Sequence, residues 1–150
     1  MFDHIGQIPA AAALKFSDRT ALIFEDEKFS FNEINSLVEK AASGLSELGI
    51  LPGDTVTLYA ANSWEWIISY YAIARIGAVI NPVNTMLTPE ELEYVAKDCG
   101  AKAIITMTHS GYNAIEISSH RPPCKIYAFT NNHAILNTLS LIWGVTGFYY

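Results

Sequence analysis

The chain has 150 residues, 51% of them hydrophobic and 16% charged, against roughly 25% charged in an average soluble protein, which describes one domain with a substantial core and little disorder. Fifteen acidic and nine basic residues leave a net charge of −6, and the absence of a Lys/Arg cluster disfavours nucleic-acid binding.

The opening segment MFDHIGQIPAAAALKFSD has neither a basic n-region nor a long apolar run, so it does not read as a secretory signal and a cytoplasmic location is expected. Thr20–Phe24 and Phe29–Phe31 are short β-prone runs around the polar link Glu25–Lys28, the pattern of a hairpin. Glu25-Asp26-Glu27 lacks the ordered ligand spacing of a calcium loop and reads as solvated connection. Ser30 and Glu33 then form an S-x-x-E capping box, and Ile34, Leu37, Val38, Ala41, Leu45 and Leu48 recur at helical spacing up to a stop at Gly49.

Pro52-Gly53-Asp54 is a turn, and Thr55–Ala60 has the length and composition of an interior strand. Asn62 or Ser63 caps a helix from Trp64 to Ile76 that leaves scarcely a polar side and must be covered on most faces. Its Trp64, Trp66, Tyr70 and Tyr71 suggest a stacking surface only if basic residues interleave them; none do, so core packing is favoured. A strand over Val79–Asn81 halts at Pro82. Asn81 and Asn84 follow a strand C-terminus, where α/β sheets bind ligands, although loop structure is the simpler reading of both.

Thr88-Pro89-Glu90-Glu91 is a second capping box, starting a helix through Leu92, Val95 and Ala96 to Gly100, with a strand over Lys102–Met107 behind it. Beyond that point a helix over Tyr112–Ser119 and a strand over Cys124–Thr130 continue the rhythm, separated by Arg121-Pro122-Pro123. Alternating strands and helices with short links predict α/β architecture, a mostly parallel sheet built from βαβ units.

From Ile126 to Tyr150 no residue carries a formal charge, and Trp143, Phe148, Tyr149 and Tyr150 crowd the end. So apolar an end is unlike a solvated terminus and points to self-association. Ala134–Tyr150 is interrupted by Asn137, Thr138 and Ser140 and falls short of the roughly 20 residues that span a bilayer.

Chemistry-bearing residues are sparse. His4, His109, His120 and His133 share no metal-ligand spacing, and surface or capping roles are expected for them. Cys99 and Cys124 stand outside any CxxC spacing and are expected to be plain thiols. Phosphate binding needs a glycine-rich turn with a lysine or arginine nearby. Gly144-Val145-Thr146-Gly147 is the nearest candidate, but it lies among apolar residues with no lysine after it.

Residues 17–106 resemble the opening of the adenylate-forming (AMP-binding) superfamily of acyl-CoA synthetases, luciferases and peptide-synthetase adenylation domains. The likeness runs through Phe16-Ser17-Asp18-Arg19-Thr20-Ala21-Leu22, Leu48-Gly49-Ile50-Leu51-Pro52-Gly53-Asp54, Ala74-Arg75-Ile76-Gly77-Ala78-Val79-Ile80-Asn81-Pro82-Val83-Asn84 and Asp98-Cys99-Gly100-Ala101-Lys102-Ala103-Ile104-Ile105. It weakens after residue 108. The region Val79–Leu87 is more similar to fatty-acyl and related acyl-CoA ligases than to amino-acid-activating domains.

The resemblance implies that residues 1–150 form an incomplete N-terminal AMP-binding (acyl-CoA synthetase) domain. The complete enzyme would use ATP, Mg2+ and CoA to turn a carboxylic acid, here a fatty acid, into its thioester through an acyl-adenylate. The superfamily's phosphate loop ending in Pro-Lys-Gly, its ribose-binding acid and its catalytic lysine have no matching positions here. No catalytic, cofactor-binding or metal residue is therefore assigned, no cofactor is expected for this chain, and inactivity in isolation is the expectation, whether the chain is a fragment or a shifted reading frame past roughly residue 130. The alternative is a non-catalytic interaction or dimerisation module on the same fold.

Overall fold

A computed structural model describes residues 4–150. They divide into two compact units, the first taking in the chain up to Asp54 together with Asn62–Ile80, and the second Thr55–Ala61 together with Asn81–Tyr150.

In the first unit, a 3-10 turn at Ile5–Gln7 leads into helix α1 (Ile8–Phe16). Strands β1 (Thr20–Phe24) and β2 (Glu27–Ser30) form the expected antiparallel hairpin. Its turn is shorter than the polar stretch: Glu27 and Lys28 pair with Phe24 and Ile23, leaving Glu25, at φ 53°, and Asp26 to make the reversal. Half of the link read from charge is thus strand, because an edge hairpin tolerates solvent-facing charge.

Helix α2 (Phe31–Glu47) begins at the predicted capping box. The Glu33 N–H donates to Ser30 Oγ at 3.2 Å, and the Ser30 N–H donates to Glu33 Oε2 at 2.7 Å. Those bonds to Ser30 hold the Glu33 carboxyl below the usual glutamate range. Ser63 caps helix α3 (Trp64–Arg75), and no residue of α3 is exposed, as its all-round apolar sequence requires. Ile34 and Val38 of α2 and Ile68 of α3 form the core of this unit, with Leu22, Phe29, Trp64 and Tyr71 packed against it. A Cβ on Gly6 would stand 2.5 Å from the Ala74 carbonyl carbon, so only glycine lets the first turn lie against α3. Arg75 fastens that approach by donating to the Gly6 carbonyl at 3.2 Å while pairing with Glu39.

The larger sheet has the order β4-β3-β5-β6-β7: β3 (Thr55–Leu58), β4 (Val79–Pro82), β5 (Ala101–Met107), β6 (Lys125–Thr130) and β7 (Val145–Tyr149). Neighbours β3/β5, β5/β6 and β6/β7 are parallel. Between β4 and β3, the Val79 N–H donates to the Asp54 carbonyl and the Val83 N–H to that of Leu58. Both chains advance together, so this pair is parallel as well. Helices α4 (Pro89–Asp98), α5 (Tyr112–Ser119) and α6 (His133–Leu139) are the connections. Leu92, Ala96, Ala101, Ile104, Ile117 and Ile126 make one buried cluster, and Ala114, Ala128 and Leu139 a second beside it. At Thr88 the second capping box closes as expected, with proline at the head of α4.

The apolar tail is ordered as α6 and β7. Beyond β6, residues 131–150 thus extend the parallel sheet by one strand, an element that charge and periodicity do not announce.

Candidate functional site

The chain leaves β3 to place β4 on one side and β5 on the other. Open α/β sheets bind ligands where the strand order reverses in this way, outside the strands' carboxyl ends. In the second unit that rim consists of Tyr59 after β3, Val83–Leu87 after β4, Thr108–Gly111 after β5, and Asn131 with Asn132 after β6.

Tyr59 is held at both ends. Its N–H donates to the Ile105 carbonyl at 2.9 Å, and its hydroxyl faces the carbonyls of Thr85 at 3.1 Å and Leu87 at 3.3 Å. Burial, with a smaller push from Tyr112, raises the Tyr59 phenol above its ordinary range, so it stays a neutral donor that pins the β4–α4 loop. Asn84 Oδ1 accepts the Met86 N–H at 2.9 Å and tightens the same loop.

After β5 the polar groups satisfy one another. Thr108 Oγ1 accepts the Gly111 N–H at 2.9 Å, and Ser110 Oγ accepts that of Tyr112 at 3.3 Å, turning the chain into α5. Nδ1 of His109 lies 3.2 Å from Asn131 Oδ1. Asn132 donates to the His109 carbonyl at 3.2 Å while its own Oδ1 accepts the Ala134 N–H and caps α6. This His109–Asn131–Asn132 set joins two rim loops, yet its members lie 22 and 23 positions apart. Only the β5/β6 register brings them together. The trace such a turn leaves in sequence is a Thr/Ser/Gly cluster between a strand and a helix.

Other singled-out residues serve structure. Asn81 lies within β4, and its Nδ2 donates to Thr57 Oγ1 at 3.1 Å and meets Cys99 Sγ at 3.3 Å, so this amide ties strand to strand and to the end of α4. Cys99 and Cys124 are free thiols that pack against one cluster. Burial, then the neighbouring Cys99, pushes the Cys124 thiol up to about 11, which makes it a poor nucleophile near neutrality. The Trp66 and Tyr70 rings stack at 5.3 Å and Trp64 lies on Phe29 at 5.1 Å, all half-buried as packing demands. His4 is exposed, His120 sits 3.7 Å from Glu90, and the His133 ring stacks on Tyr149. Gly144-Val145-Thr146-Gly147 turns into β7, with Gly147 pressed on Leu136 and Leu139.

A cavity of about 410 Å³ lies in the first unit among Ala13, Asn32, Asn35, Glu39 and Arg75. Among the described residues no three His, Cys, Asp or Glu side chains converge as a metal site. Nor is any helix of the described residues long and apolar enough to cross a membrane. What the rim offers chemically is a set of polar, already hydrogen-bonded groups that hold loops in place.

Comparison with known proteins gives these positions a context. The family model described as AMP-binding enzyme matches residues 10–138, extending past the point where the motif likeness fades. The human mitochondrial medium-chain acyl-CoA ligase ACSF2 is 35% identical over 103 residues, which cover 67% of this chain and 17% of that protein. Among solved structures, the anthranilate CoA ligase AuaEII in complex with anthranoyl-AMP superposes with a TM-score of 0.75 at 26% identity, covering 85% of this chain and 25% of that one. The N-terminal subdomain of Klebsiella oxytoca NpsA, in complex with 3-hydroxybenzoyl-AMSN, gives 0.67 at 28% identity over 70% of this chain and 27% of its own. The chain spans about a fifth of the length of the curated relatives it matches.

Proposed function

This chain belongs to the AMP-binding enzyme family, and on that premise we propose that it is the N-terminal scaffold of an ATP-dependent acyl-CoA ligase. In that reaction a carboxylate oxygen attacks the α-phosphorus of ATP, releasing pyrophosphate and leaving an acyl-adenylate. The CoA thiol then attacks the acyl carbon, its proton is lost, and AMP departs with the bonding electrons. The observation that carries the reading is that the family match, over residues 10–138, takes in four of the five strands of the parallel α/β sheet. Relatives named for medium-chain acyl and anthranilate substrates support a carboxylic acid as the substrate class, and the likeness of Val79–Leu87 to fatty-acyl ligases favours a fatty acid.

We further propose that the 150-residue chain does not turn over by itself. In support, no segment of the sequence joins a glycine-rich turn to a lysine, and the nearest candidate, Gly144–Gly147, leads into a strand. Incubating the chain with ATP, magnesium, CoA and a panel of fatty and aromatic acids should give no acyl-CoA by mass spectrometry. A thioester formed in proportion to the chain would overturn the proposal.

A second reading, an interaction module on this fold, is favoured by one observation: Trp143 and Tyr149 are 55% and 49% exposed within an uncharged tail. Light scattering of the purified chain tests it, since a monomer at all concentrations removes its basis.

A further inference from the structure

We propose that the cavity of the first unit is a binding site for a small aliphatic amine, held as its ammonium between helices α1 and α2. The proposal is independent of the adenylate chemistry above and concerns residues of the first unit alone.

Spacing along two helices puts the site together. On α2, Asn32, Asn35 and Glu39 stand three and four positions apart, so one face of the helix carries all of them. On α1, Ala10, Ala13 and Leu14 share a face by the same rule. These two faces, with Arg75 at the end of α3, line the cavity of about 410 Å³. Alanines opposite a polar stripe offer no side-chain hydrogen bonds to it, and their small volume leaves the space open. The size falls within the range of roughly 300–1,000 Å³ usual for small-molecule pockets.

Hydrogen bonding defines the polar end of the ligand. Asn35 Oδ1 is buried and has no hydrogen-bond partner among the described residues, a costly state that a ligand's donor would relieve. Donors beside it are committed elsewhere. Asn32 Nδ2 donates to Ser17 Oγ at 3.2 Å and to Asp18 Oδ1 at 3.0 Å. Arg75 gives Nη1 to the Gly6 carbonyl at 3.2 Å and Nη2 to Glu39 Oε1, which leaves Glu39 Oε2 as a second acceptor. The unmet groups are therefore an amide oxygen and a carboxylate oxygen, one helical turn apart on α2. An ammonium, with three N–H bonds and a positive charge, answers both. A carboxylate or phosphate would set lone pairs against lone pairs.

Charge and apolar surface define the rest. A net charge of −6 draws cations to the chain, and the Glu39 carboxylate offsets Arg75 beside it. Leu14 is 90% exposed at the wall formed with Ala10 and Ala13. A short alkyl chain lying there would cover it, which favours an alkylammonium over a bare ion.

The test titrates n-butylammonium chloride into the full 150-residue chain and follows backbone and side-chain amide NMR shifts, with n-butanol and sodium butyrate as neutral and anionic counterparts. The amine should move the Asn35 side-chain amide and the Ala10 and Ala13 amides along one saturable curve, in the roughly millimolar range of so small a ligand. Butanol and butyrate should leave these signals in place. Asn35→Ala and Glu39→Gln should each weaken binding about tenfold. Ala10→Leu fills the space without removing a polar group and should abolish it. Where a variant loses its far-UV spectrum, the wild-type shifts decide, and saturable shifts confined to these residues support the site. Shifts that spread over the acidic surface without saturating, or equal binding of butanol, overturn the ammonium site. Butyrate binding in place of the amine would show Asn35 presenting its N–H groups, and overturns it as well. A wild-type chain unmoved by the amine overturns the proposal and leaves Asn35 Oδ1 to solvent.

Discussion

Strands β5 and β7 share a sheet and a direction, yet they are built on different terms. Strand β5 lies between β3 and β6, and five of its seven residues are buried; those five are alanine, isoleucine and threonine, which fit where both edges are paired and the faces are covered. In β7 none of the five residues is fully buried, and its side chains include Phe148 and Tyr149. Phe148 stacks on Phe129 at 5.2 Å and meets Tyr127 edge-on at 6.0 Å, so the strand is held by rings on one face and by close contact with α6 on the other. Position in the sheet, more than β-propensity, decides which residues a strand can use and how much a change in it costs.

The largest effect should fall on the interior strand. Ile104 has no exposed surface and belongs to the cluster with Leu92, Ala96 and Ile126. Ile104→Ala should lower stability by about 2–5 kcal/mol in denaturant titration. A loss comparable to that of an exposed site would erase the distinction between β5 and β7. At β7 the sensitive position is the one without a side chain. A Cβ on Gly147 would stand 3.0 Å from Leu139 Cβ and 3.1 Å from Leu136 Cδ1, so Gly147→Ala should cost about 1–3 kcal/mol. Hydrogen exchange should show that loss concentrated in α6 and β7, with β5 amides unchanged.

Thr88 matters to β5 indirectly, by starting the helix that covers it. Its Oγ1 accepts the Glu91 N–H at 3.3 Å while Glu91 accepts the Thr88 N–H at 2.8 Å. Thr88→Ala should therefore cost about 1 kcal/mol by thermal or denaturant unfolding. The smallest effect has the opposite sign. Thr106 of β5 is fully buried and its Oγ1 has no hydrogen-bond partner. Thr106→Val removes that uncompensated hydroxyl and should raise stability by about 1 kcal/mol or less. A clear destabilisation would show that the hydroxyl is satisfied in solution.

The same contrast explains what could be read from the residues alone. Helices α2, α3 and α4 were legible because caps and glycine stops are local chemistry: Ser30, Ser63 and Thr88 each accept an N–H three residues on, and Gly49, Gly77 and Gly100 take positive φ. Helix α1 escaped notice because its N-cap, Gln7, makes no capping bond from its side chain to the helix's first N–H groups and the Ala10–Ala12 run has no polar face to set a period. Helix α6 and β7 escaped for a related reason, since a tail without charge shows little alternation. At the rim, the switch point follows from strand order, which no local pattern encodes. The strand read as Val79–Asn81 runs on through Pro82, and the Asn81 amide points at Thr57 and Cys99 rather than into the loop. The His109–Asn131 contact depends on register between strands and left no sign in either segment.

The central claim is that these residues supply scaffold for adenylate chemistry without performing it. The most direct measurement is exchange of labelled pyrophosphate into ATP by the isolated chain, with magnesium and a panel of carboxylic acids, because this reads the first half-reaction without need of CoA. No acid-dependent exchange above background is expected. Exchange that tracks the chain through purification and depends on an added acid would contradict the account.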